Sequence, residues 1–172
     1  MPARAAEARR VVVEDYYPLF TAADNGREGI VEVLLGMEGV DVNRGDPDIG
    51  ITPLFMACQE GHEGVVRLLL AHAATDVNQA RTDDGSTPLF QACRKGHEGV
   101  VRRLVEEANA EVNKVNGKNQ TPINMAACAG YLVIVRFLLS KGADCTIKDQ
   151  WGDTPLASAR AEGHAEVAAL LE

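Results

Sequence analysis

No run of lysine and arginine longer than two occurs in these 172 residues, and the formal charge is −8. A nucleic-acid-binding surface needs a basic stripe or patch, so that class of function is set aside first. Long apolar runs are also missing from the amino terminus, where Met1 to Val13 offers only Val11-Val12-Val13 beside Arg4, Arg9 and Arg10. Neither a signal peptide nor a membrane span can be built from that stretch, which makes the cytosol the expected location and leaves the nucleus open. The phosphate-cradling pattern GxxxxGK(S/T) does not occur, and linear spacing suggests no Ser-His-Asp or Cys-His set. The sequence therefore assigns no catalytic residue and no cofactor, and the expected class is not an enzyme.

What the chain does contain is a copy of itself. TPLFMACQEGHEGVVRLLL from Thr52 returns at Thr87 as TPLFQACRKGHEGVVRRLV, with 14 of 19 positions identical. The same frame is readable from Tyr17, Thr121 and Thr154, giving five units whose starts are 35, 35, 34 and 33 residues apart. A fixed period of this length marks a stack of equivalent supersecondary units. With 46% hydrophobic residues, the chain is long enough to bury a sizeable interior.

Each complete unit opens on a Thr-Pro pair. Thr52, Thr87, Thr121 and Thr154 suit the helix cap, and the proline suits the first helical position. Nine residues on comes glycine (Gly26, Gly61, Gly96, Gly130, Gly163), where a left-handed turn would end the first helix. A second helix then carries one apolar stripe, in the second unit Val65, Val66, Leu69 and Leu70, which needs a neighbouring unit to cover it. Cys58, Cys93 and Cys128 recur in the Ala-rich helix of successive units, about 8–10 Å apart at helix-packing distance, beyond the roughly 7 Å reach of a disulfide. Small buried thiols in a reducing compartment are expected.

The period, the TPL opening, the Gly-His pair, the V-V-x-x-L-L run and Gly142-Ala143-Asp144 together resemble the ankyrin repeat. The resemblance covers everything from Tyr17 onward. It implies an all-α solenoid of helix-turn-helix units joined by β-hairpin fingers, with residues 1–16 as an N-terminal arm and 17–172 as the repeat domain. Gly50, Gly85, Gly152 and, once, Asn119 take the positive-φ place before each opening, and the first two fingers carry an extra residue. Three departures stand out. The family's histidine after T-P-L becomes Phe20, Phe55, Phe90, Asn124 and Ala157, which reads as a phenylalanine ladder packing between units. The first unit has Tyr17 for Thr and Arg27 for His, and the last has Arg160 in a small-residue slot, so both ends read as caps.

Function is weighed from surface alone. His62, His97 and His164 fill one slot in separate units, too far apart to converge on a metal, and are expected to bond neighbouring backbone. The pairs Glu28-Gly29, Glu63-Gly64 and Glu98-Gly99 place carboxylate near the start of helix two, where it suits the dipole. The resemblance implies a protein-binding scaffold, monomeric by default, without nucleic-acid or membrane partners. Its contact surface would comprise the concave helix-one residues Met56, Gln59, Gln91, Arg94 and Met125. Finger-tip residues would add Arg44, Asp46, Asp48, Arg81, Asp83, Asp84, Lys114, Lys118, Lys148 and Trp151. Trp151 reads either as a binding anchor or as a brace of its own finger. Asn43, Asn78 and Asn113 follow Asp-Val or Glu-Val and are similar to sites used by asparaginyl hydroxylases, although the finger's structural asparagine explains them equally. A regulatory substrate of such an enzyme, or an engineered or excised scaffold with no native partner, is the alternative. Residues 1–86 carry 15 acidic and 7 basic side chains against 10 and 10 in 87–172, so a partner with a basic segment would be steered to Asp46, Asp48, Asp83 and Asp84.

Overall fold

The computed structural model describes residues 17–172 and places ten helices in that span, in five antiparallel pairs. They are α1 (Pro18–Asp24) with α2 (Glu28–Leu35), α3 (Pro53–Glu60) with α4 (Glu63–Ala71), and α5 (Pro88–Lys95) with α6 (Glu98–Glu107). The last two pairs are α7 (Pro122–Cys128) with α8 (Leu132–Ser140), and α9 (Pro155–Ala161) with α10 (Ala165–Leu171). Between adjacent units, first helices pack chiefly on first helices and second on second, so the chain stacks in two layers. The arm at 1–16 lies outside the described residues.

The helix starts follow from the Thr-Pro openings. Thr52, Thr87, Thr121 and Thr154 each accept a bond from the backbone N–H three residues on, at 3.1, 3.2, 3.3 and 3.3 Å. Each such cap contributes about 1 kcal/mol. Tyr17 makes none. Gly61 ends α3 with φ of 75°, a conformation that costs an L side chain and leaves glycine free.

Between the layers lies a narrow aliphatic core. Val65, Val66, Leu69, Val100, Val101, Leu104, Val135 and Leu138 are wholly buried, while Leu70 at the stripe's edge is half-covered. Phe55 and Phe90 are buried, and Phe20 is half-exposed. Asn124 continues the slot differently. Its Oδ1 accepts from the Thr121 N–H at 2.9 Å and from the Thr121 hydroxyl at 2.6 Å, closing a capping box. Cys58 and Cys93 are fully buried, all four cysteines are unpaired, and burial pushes the Cys58 and Cys93 thiols far above their ordinary range.

The fingers are tight turns rather than paired strands, and no strand forms among the described residues. Each is closed by two backbone bonds: Asp46 N–H to Ile51 O, Arg81 to Ser86, Asn116 to Gln120, and Asp149 to Asp153, at 2.9–3.1 Å, with Gly50, Gly85, Asn119 and Gly152 donating back to Asp46, Arg81, Asn116 and Asp149 O at 3.0–3.1 Å. The first two loops are one residue longer, as the spacing predicts. Neighbouring fingers share a single backbone–backbone bond (Thr82 N–H to Ile49 O, 2.9 Å; Gly117 to Asp84 O, 2.7 Å; Gln150 to Lys118 O, 2.9 Å), too few to make a ladder.

Candidate protein-binding surface

The helix-one row comes first. Met56, Gln59 and Met125 are half-buried and Arg94 is exposed. Gln91 departs from the expectation: it is only 3% exposed, and its Nε2 donates to Gln59 Oε1 at 2.9 Å. Gln91 therefore supports Gln59 from beneath instead of meeting a partner.

The finger carboxylates are mostly engaged within the chain. Asp46 accepts the backbone N–H groups of Asp48, Ile49 and Ile51 at 3.0, 3.0 and 2.6 Å. Desolvation pushes its pKa up, but those three bonds and nearby Arg81 more than reverse this, holding it below the ordinary aspartate range. Asp83 takes a two-pronged bond from Arg81 (3.0 and 2.6 Å), which lowers its pKa. Asp84 accepts from Ser86 N–H at 2.9 Å. Asp48 stands exposed at the turn. On the later fingers Lys114 pairs with Glu111 at 3.3 Å, and the Lys148 carbonyl accepts from Asn119 at 2.6 Å. The Lys118 ammonium lies 5.9 Å from the centre of the Trp151 ring. Trp151 is 63% exposed, so it neighbours the preceding finger and still offers most of its ring to solvent.

Three devices join consecutive units. The imidazoles of His62, His97 and His164 bond the carbonyls of Asp24, Gln59 and Cys128 in the preceding unit at 2.9, 2.9 and 3.0 Å, the backbone role expected of them. Asn43 donates to Ala74 O at 2.6 Å and accepts from Asp76 N–H at 2.8 Å. Asn78 accepts from Glu111 N–H at 2.9 Å, and Asn113 bridges Gly142 O and Asp144 N–H at 3.1 and 2.8 Å. The third device was missed in the sequence. The Glu28 carboxylate occupies the space a Cβ on Gly64 would take, and Glu63 does the same at Gly99, so each seats on the first turn of the next unit's helix two. The recurring Glu-Gly pair was the visible signal, but one unit alone shows only the carboxylate's own helix.

Among the described residues no cluster of His, Cys, Asp and Glu could hold a metal ion, and no helix is long and apolar enough to cross a membrane. A family profile described as "Ankyrin repeats (3 copies)" matches residues 19–116 and 99–172, which together span the whole stack. The chain belongs to the ankyrin-repeat family. Ankyrin repeats generally mediate protein–protein interaction and are typically non-catalytic. Among curated proteins, this ankyrin-repeat chain is 37% identical over 54 residues to "Potassium channel GORK" of Arabidopsis thaliana, covering 31% of this chain and 7% of that protein. It is 42% identical over 55 residues to "Probable E3 ubiquitin-protein ligase XBOS33" of Oryza sativa subsp. japonica, covering 32% of this chain and 11% of that protein. The matched segments are thus a small part of both relatives, and the likeness is one of repeats.

Proposed function

We infer that this ankyrin-repeat domain is a monomeric, non-catalytic scaffold that binds one partner protein along its finger row and helix-one face. Trp151 carries the reading: a tryptophan left 63% exposed on a rigid turn is the side-chain type that anchors interfaces. Arg94, Gln59, Met56 and Met125 supply the adjoining helix-one contacts. Because Asp46 and Asp83 are bound within their own turns, Asp48 is the carboxylate best able to meet a basic segment of the partner, with an apolar residue of the same segment against Trp151. Four unpaired thiols suit a cytosolic setting.

The test is affinity purification from source cells with the wild-type chain, followed by titration of the recovered partner against Trp151→Ala and Asp48→Lys. Removing an anchoring tryptophan should weaken binding by about 2 kcal/mol, roughly thirtyfold. Reversing the charge at Asp48 should lower the association rate, more so at low salt. A partner indifferent to Trp151, Asp48 and Arg94→Ala alike would show that it docks elsewhere.

A further inference from the structure

The two ends of the stack are unlike. At the last unit Arg160 reaches the Glu172 carboxylate at 2.6 Å, beside an open depression lined by Gly163, Ala165, Ala168 and Ala169, so polar side chains border that end. Among the described residues the first unit shows no such closure. In α2, Ile30 and Val33 are 53% and 68% exposed and Met37 just beyond is 56% exposed, spaced at i, i+3 and i+7 along one side. Ile30 occupies the repeat position of Val65, Val100, Ile134 and Val167, which are 0–2% exposed because the preceding unit's second helix covers them. Phe20 follows the same rule, half-exposed where Phe55 and Phe90 are buried. This is the leading face of the first described repeat.

We propose that this face is the docking site for the chain's own first sixteen residues, through the run Val11-Val12-Val13. Three facts fix the occupant. Solenoid end units need a cover over the face that internal units bury, and the arm holds the sole apolar run on that side of Tyr17. Second, the reach suffices. Only four residues, Glu14 to Tyr17, separate Val13 from the start of α1, and five extended steps span about 17 Å, more than the 10–12 Å width of one helix. The short turn between α1 and α2 makes them antiparallel, which brings Met37 and Val33 to the same end as Pro18. Third, the charges match. From Glu28 to Val42, between Arg27 and Arg44, the chain carries Glu28, Glu32, Glu38 and Asp41 and no lysine or arginine; Arg9 and Arg10 directly precede the valines and complement that stretch, while Glu14 and Asp15 follow the run on the side of the tether. Tethering makes the encounter intramolecular, so a modest apolar contact suffices to hold it.

The methionines supply the assay. In the full chain with ¹³C-methyl methionine, a soluble gadolinium chelate relaxes each methyl according to its exposure. Met56 and Met125, half-buried in internal units, act as standards. With the arm docked, the Met37 methyl should be relaxed less than both standards. In V11S/V12S/V13S it should be relaxed more than both, while the standards keep their positions. Arg9→Glu/Arg10→Glu retains the valines and should give the same exposure of Met37 at low salt, and it replaces the serine variant should that one aggregate. Strong relaxation of Met37 in the wild type, unchanged in the variants, would overturn the proposal. So would protection that survives both variants, or that disappears on dilution of the wild type, since either means another occupant or a second copy covers the face.

Discussion

At Gly64, helix propensity and packing between units pull in opposite directions. Gly64 lies in the first turn of α4 with ordinary helical φ, so replacing it with alanine should stabilise the helix by about 0.5 kcal/mol, the low end of the range because the site is near a terminus. But the added Cβ would collide with the Glu28 carboxylate, and so would one at Gly99 with that of Glu63. A flexible carboxylate can move aside, at the loss of a charge–dipole contact with the helix terminus of about 0.3–1 kcal/mol. Gly64→Ala/Gly99→Ala should therefore leave the wild type nearly unchanged, because gain and loss cancel. In a Glu28→Ala/Glu63→Ala background the same glycine changes should stabilise by about 1 kcal/mol, twice the single-site value. The coupling across both sites is then about 0.6–2 kcal/mol. Urea melts of the four proteins at low salt measure it as a double-mutant cycle. Equal effects of the glycine changes in both backgrounds, within the roughly 0.3–0.5 kcal/mol of ordinary additivity, would refute the seating of each carboxylate on the next helix.

Leu69→Ala, at a wholly buried position in the second unit, should cost about 2–5 kcal/mol in a urea melt, whereas Arg67→Ala on the exposed side should be near neutral; equal midpoints would mean the buried face is misassigned. The depressed pKa of Asp46 means its contribution is complete above the ordinary aspartate value of about 3.9 and is lost as pH falls through the lower folded value. Asp46→Asn should accordingly flatten the acid limb of the stability curve, and an unaltered limb would count against the three-bond turn. Incubating the folded chain with an asparaginyl hydroxylase should leave its intact mass unchanged, because the amides of Asn43 and Asn113 are held at both ends by the next unit; an added oxygen on those peptides would reverse that.

The sequence carried the architecture because each device that shapes a unit is local. Thr52 with Pro53, Gly61, and the spacing of Val65, Val66 and Leu69 lie within a single unit, and periodicity made them readable five times over. Gln91 was misplaced for the opposite reason. Its counterpart in the preceding unit is Met56, and only the packed row shows that its amide is taken up by Gln59. The acidic fingers likewise looked like free charge in the sequence, because nothing in the spacing reveals that Asp46 spends its oxygens on three backbone N–H groups. Ile30 gave no linear signal at all, since apolar residues at that position are correct in every unit that has a predecessor.

The joints between units are not alike, and a chain in series parts at its weakest link. Between the third and fourth units Tyr131 stands where His62, His97 and His164 stand elsewhere, and its ring lies against Gly96 in place of a carbonyl bond. Val133 replaces the glycine that would receive Glu98, whose carboxylate goes instead to Arg102 at 2.9 Å. Of the three fasteners only the Asn113 bridge remains there. The joint between the fourth and fifth units is as thin: His164 bonds Cys128 O, but Leu132 stands in the Glu28 slot and Thr146 in the Asn43 slot, so each of the last two joints keeps one fastener of the three. Stretched between its ends, the molecule should yield in these last two joints while the first three units stay locked.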